Sequence, residues 1–233
     1  MLKLSSFQLK LFAMIFMVMD HLYTYLNMRG GLEIPIWFGY IGKISAPIFF
    51  YLIVEGFFHT RNRNKYMLRL FSFGAIMIGV DLLLGIHNNI FLSLGLSVAL
   101  MNMIEFGKKS ERYRLSIIFS ILIGLLAVVT EASIYGVIVT LIFYFLRNKK
   151  GWMAFVYTVF SILPLLSAIS MGPDFLEAIF LWDYQWMMFL AIPFILLYNG
   201  ELGFNNKFTK WMFYLFYPLH LIIIVLLAKY ITA

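Results

Sequence analysis

The chain has 233 residues, of which 63% are hydrophobic and only 12% charged, about half the charge of an ordinary soluble domain, and the apolar residues come in long unbroken runs. This points to a polytopic membrane protein rather than a soluble one, and the lack of any Cys excludes disulfides, zinc–thiolate sites and a thiol nucleophile. The net charge of +7 does not indicate nucleic acid as a partner, because the basic residues fall at the ends of the hydrophobic runs.

A helix needs about 20 apolar residues to cross a bilayer core, with a tolerance of several. The runs predict spans near 7–27, 43–59, 66–85, 89–105, 115–130, 133–147, 152–168, 184–199 and 211–229. The links are short, no repeat is visible, and 1–233 reads as a single domain. The first span keeps Asp20-His21 and lacks a small-residue cleavage site, so it is not expected to be a removable signal peptide. Cytoplasmic loops collect Lys and Arg. With the N-terminus inside, the inner segments hold fifteen of the 18 Lys and Arg, and the outer ones hold only Arg29, Lys43 and Lys229. The expected fold is therefore an all-α bundle of nine spans, N-terminus cytoplasmic and Ala233 external.

Within the first span, Asp20 and His21 point about 100° apart and form no dyad by themselves. His exchanges protons near neutral pH, which makes His21 a candidate base; the plainer reading is a helix-end His bonded to a loop. In the second span Tyr51, Glu55 and His59 recur at i, i+4 and i+8 on one helix face. That face leads into Arg61, Arg63, Lys65 and Arg69, a polar track ending in a cationic rim suited to phosphate oxygens. The positive-inside rule alone would also place those cations there. Glu55 and His59 are too few for a metal site, and no metal is expected.

Asp81 and Glu131 lie at the outward ends of spans three and five, with His87 and Asn88-Asn89 in the turn after the third. Ionisable residues at membrane depth are functional candidates, the alternative being helix capping or pairing between spans. Asn89, Ser93 and Ser97 form a polar stripe that reads best as helix packing. In the last span, Tyr217-Pro218-Leu219-His220 puts a His midway along an apolar helix beside a kink.

Leu9-Lys10 before Asp20-His21, Gly42-Lys43-Ile44 with Ala46-Pro47, and above all Glu55-Gly56-Phe57-Phe58-His59-Thr60-Arg61-Asn62-Arg63 make the chain resemble the TraX family. That family consists of membrane proteins associated with N-terminal acetylation of conjugative pilin. The resemblance continues through Asn89-Ile90-Phe91, Tyr135-Gly136-Val137, Gln185-Trp186, Leu197-Tyr198-Asn199-Gly200 and Phe216-Tyr217-Pro218 with His220. Glu131 stands where Asp would be expected. The family's layout is similar to that of multi-span acyltransferases that use cytoplasmic acyl-CoA, where an early His at the end of span one recurs.

The resemblance implies a multi-pass enzyme of a bacterial cytoplasmic membrane. It would move an acetyl or similar group from acyl-CoA to an amine or hydroxyl of a peptide, lipid or glycan. The donor phosphates would then dock on Arg61, Arg63, Lys65 and Arg69, with Tyr51, Glu55 and His59 along the acyl arm. His21 or His220 would serve as base, supported by Asp20 or Asp81. The alternatives are a proton-coupled transporter or flippase relaying through Asp20, Asp81, Glu131 and His220, and a structural subunit of a conjugation or secretion complex.

Overall fold

A computed structural model describes residues 3–27 and 31–232. Arg29 and Ala233, on which part of the topology rests, lie outside the described residues. The described chain is helical, and its only bridge outside the helices pairs Leu4 with Tyr198. In chain order the helices are α1 (Ser6–Leu22), α2 (Trp37–Gly42), α3 (Ser45–His59), α4 (Arg63–Leu84), α5 (Ile90–Ser110), α6 (Tyr113–Val128), α7 (Ser133–Leu146), α8 (Lys150–Ile162), α9 (Pro164–Ile169), α10 (Phe175–Glu177), α11 (Ala191–Leu196) and α12 (Lys207–Thr232). A π-helical turn, Tyr23–Asn27, prolongs α1, and a second, Ala178–Trp182, follows α10.

Among the described residues, six helical stretches are long and apolar enough to cross a membrane, including Ser6–Asn27, Trp37–His59 and Lys207–Thr232. A seventh is reached if Gly172–Trp182 and Gln185–Leu196, bent by 52°, count as one. The nine expected spans are thus reduced to six or seven. The runs at 115–130 and 133–147 fold as helices of 16 and 14 residues, about 24 and 21 Å at roughly 1.5 Å per residue, against a bilayer core of about 30 Å. The break between them is built in. The Thr130 hydroxyl bonds the Ala127 carbonyl, and Ser133 takes a positive φ of 46°. The eighth expected span, 184–199, is reduced to the helical residues Gln185–Leu196, set off from the preceding turn at Asp183, where the backbone becomes extended.

The chain forms two compact units. One comprises Met1–Phe49 and Asn148–Ala233. In it Ser5 caps α1 reciprocally with Gln8, closing two otherwise orphaned helix donors. The segment after α11 clamps the N-terminus: Leu4 N–H bonds Leu197 O at 2.8 Å, and Asn199 N–H bonds Leu4 O at 3.0 Å. The Leu197-Tyr198-Asn199-Gly200 motif therefore has a structural task. The Ser45 hydroxyl bonds the Ala13 carbonyl at 2.8 Å, fixing α3's first turn on α1. Gly42 is dictated by proximity, since a Cβ there would stand 2.8 Å from Asp20 Cα and 2.6 Å from its Oδ1.

The second unit, Phe50–Arg147, holds the rest of α3 and α4 to α7. Asn62 and Asn89 cap α4 and α5 with their side chains. The Asn89–Ser93–Ser97 stripe proves to be packing. Asn89 bonds Gly74 O at 2.8 Å, Ser93 bonds the Thr130 hydroxyl at 2.9 Å, and Ser97 receives the Thr140 hydroxyl at 2.9 Å.

Candidate active site

In the first unit α1 and α12 run side by side and bring their histidines together. His21 Nδ1 lies 2.8 Å from His220 Nε2, and the rings are nearly parallel at 11°. Both residues are buried, at 3% and 7% exposure. His220 Nδ1 lies 2.7 Å from the Phe216 carbonyl. A carbonyl only accepts, so this nitrogen carries the hydrogen. In a neutral imidazole Nε2 of His220 is then an acceptor, and His21 Nδ1–H must donate to it. The network thereby leaves the lone pair of the pair on His21 Nε2, the atom a general base uses. The edges of Tyr25 and Tyr217 close on the His21 ring at 6.2 and 6.1 Å between centroids. Pro218 sits between Phe216 and His220 and has no N–H to give the turn before it.

The two expected supporting acids are placed elsewhere. Asp20 pairs with Lys43 at 3.2 Å, each side chain about a quarter exposed. Asp81 belongs to the second unit and closes the turn after α4, its Oδ1 accepting from Asn88 N–H at 3.3 Å. The partner that fixes the His21 ring is His220.

The residues expected to bind the donor all lie in the second unit. Glu55 is buried and held bidentately by Arg147, with Nε to Oε1 at 2.7 Å and Nη2 to Oε2 at 3.0 Å. His59 bonds the Glu55 carbonyl at 2.8 Å and lies 3.8 Å from its carboxylate. Tyr51 is 3% exposed and meets the edge of Phe143 on α7. Tyr51 and Glu55 are thus packed against α7 and its end, while His59 is exposed. Arg63 covers the Phe57 ring, bonds the Phe57 carbonyl at 3.3 Å and approaches Glu105 at 3.6 Å. Arg69 lies over Tyr66, and its Nε is buried with no hydrogen-bond partner. Arg61 and Lys65 are exposed.

Four residues here were not singled out from sequence: Arg147, Glu105, Tyr144 and Lys108. The Tyr144 hydroxyl donates a short bond to Glu105 and meets Lys108 Nζ at 2.8 Å, and Lys108 reaches Glu105 at 3.2 Å. The available signal was the demand of Glu55 for a partner, since a buried carboxylate is retained only when paired. Arg147, at the end of a neighbouring apolar run, is the residue that meets this demand. Among the described residues, no group of three or more His, Asp or Glu side chains is placed to hold a metal ion.

A probable fimbrial assembly protein, FimC of serogroup H1, from Dichelobacter nodosus is 28% identical over 245 residues, covering 93% of each chain. No solved structure matches. The family described as TraX protein matches residues 5–228, so this helical, multi-pass membrane chain belongs to the TraX family.

Proposed function

We propose that the protein is an acyl-CoA-dependent acyltransferase of a bacterial cytoplasmic membrane, acting in the setting of pilus or fimbrial assembly. The observation that carries this reading is the buried His21–His220 pair, whose hydrogen bonds direct a lone pair to His21 Nε2. The acceptor amine or hydroxyl attacks the thioester carbonyl and gives its proton to His21 Nε2. The C–S bond then breaks, and the departing CoA thiolate takes that proton. The products are acylated acceptor and free CoA, with nothing else consumed. His220 holds the His21 ring through Nδ1–H and spreads the charge of the transient imidazolium, the task a carboxylate has in a triad. Membership in the TraX family and a relative named for fimbrial assembly support the setting.

Acyl-CoA is polyanionic, and the exposed Arg61 and Lys65, backed by Arg63 and Arg69, supply cations for its phosphates. Arg63 also holds Phe57 and Glu105, so Arg61 and Lys65 make the cleaner test. Replacing both with Gln is expected to weaken acetyl-CoA binding by about 1–3 kcal/mol per lost charged hydrogen bond, with the unfolding temperature unchanged. Equal affinity in the double variant would reduce the rim to an orientation signal.

The same rim sets the proposed orientation, with the N-terminus and the loop at Asn62 cytoplasmic. The orientation does not depend on α6 and α7 crossing singly. Whether they are two spans or one re-entrant pair, the basic segments before and after them, at Lys108 to Arg114 and at Arg147 to Lys150, stay on one side. The chain has no Cys of its own, so Asn62→Cys reports alone. It should resist an impermeant thiol reagent in intact cells and react after permeabilisation; reaction in intact cells would invert the orientation.

A further inference from the structure

Next to the histidine pair, in the same unit, lies a cluster that the transfer step does not use. Asp20, joined by a peptide bond to His21, forms its ion pair with Lys43 at 3.2 Å. The Lys43 ammonium also lies 5.4 Å from the centre of the Tyr184 ring. Tyr40 and Tyr23 pack edge-on to Tyr184 at 5.2 and 6.4 Å, and Tyr40 is fixed by donating its hydroxyl to the Phe180 carbonyl at 2.6 Å. The surrounding backbone is shaped for this cluster. A Cβ on Gly39 would stand 2.7 Å from the Tyr184 hydroxyl, and one on Gly42 would collide with Asp20. Two π-helical turns converge here as well: Tyr23 opens the first, and Tyr184 follows the second by two residues. Such turns are rare and concentrate at functional sites.

We propose that the Asp20–Lys43 pair and the Tyr23, Tyr40 and Tyr184 rings form the acceptor-recognition site, and that its ligand is a sugar ring presenting two adjacent hydroxyls. This rests on His21 being the transferring base. The pair has no net charge, so it does not select a charged acceptor, and an incoming ammonium would have to displace the tethered one already seated on Asp20. What the pair does offer is a strong acceptor beside a strong donor, both partly exposed. One hydroxyl of the ring donates to the Asp20 carboxylate while its neighbour accepts from Lys43. The tyrosine rings supply apolar faces for the C–H side of the sugar and hydroxyls for its rim.

The test is saturation-transfer NMR on the full-length protein in detergent micelles, with no acyl donor present. The probes are methyl glycosides of glucose, galactose, mannose and their 2-acetamido forms, beside a short peptide with a free amino terminus. At least one glycoside should receive saturation on its ring protons. Its affinity should fall roughly tenfold to a hundredfold in Asp20→Asn, as expected for losing a hydrogen bond to a charged group. Tyr184→Leu should weaken it too, while Tyr184→Phe, which keeps the ring, should bind within a few-fold of wild type. Silence from every glycoside overturns the inference, as does a glycoside affinity indifferent to both Asp20→Asn and Tyr184→Leu. So does binding of the peptide alone in an Asp20-dependent way. Because no acyl donor is present, the readout is separate from turnover: a chain that releases CoA but ignores glycosides loses the sugar site and keeps the transferase reading.

Discussion

His21→Ala is expected to lower acyl transfer by about 10²–10⁴, the usual cost of removing a general base, and to leave acetyl-CoA affinity close to wild type. The separation follows from the roles assigned. The base meets the acceptor's proton, whereas donor affinity comes from phosphate contacts on Arg61 and Lys65. His220 acts through His21 and gives a graded series. His220→Ala removes the acceptor for His21 Nδ1–H and frees the ring to turn or change tautomer, so much of the rate should go. His220→Gln keeps a side-chain oxygen that can accept from Nδ1–H, so it should retain more rate than Ala. Rates of CoA release over the series, with affinities measured separately, decide the matter. If His21→Ala stays active while His220→Ala is dead, the base is His220. Full activity in both would remove the histidine mechanism.

The second large effect is on stability. Breaking the Glu55–Arg147 pair by Arg147→Met should cost about 3–5 kcal/mol, because it strands a carboxylate that is 8% exposed. Glu55→Gln should cost less, since the arginine is more exposed, at 28%, and also rests on the Phe58 ring at 4.7 Å. The double variant Glu55→Gln with Arg147→Met should recover part of the loss, since a buried ion pair replaced by neutral groups of similar size is often nearly neutral. Unfolding in detergent micelles of the two singles and the double gives the coupling energy directly. A coupling near zero would make the pair a solvated contact and leave Glu55 available to a ligand.

Much of this was legible in the residues, and the exceptions have physical reasons. Hydropathy located the helical runs, because each crossing must hold its apolar residues together in sequence. It placed the break between α6 and α7 where the polar Thr130-Glu131 interrupts the apolar residues, but it overcounted spans because the helices on either side are apolar and short, at 16 and 14 residues. His21 and His220 could be singled out as histidines in apolar surroundings, whereas their 2.8 Å contact joins positions 199 residues apart. No local pattern encodes that distance. Glu55 was visible for the same reason as the histidines, but its partner was not. Its spacing with Tyr51 and His59 suggested an open track, while α7 supplies Phe143 and the chain just past it supplies Arg147. Asp20, with Asp81 as the alternative, was expected to support His21 as a carboxylate does in a triad. Adjacent residues on a helix face different ways, and Asp20 faces Lys43.

The most direct measurement of the central claim is mass spectrometry of membrane peptides, lipids and glycans from cells lacking this chain, complemented with wild type or with His21→Ala. The expected result is one class of molecule that loses an acyl mass on deletion, regains it with wild type and fails to regain it with His21→Ala. An acylation profile unchanged by deletion, or restored fully by His21→Ala, would contradict the claim.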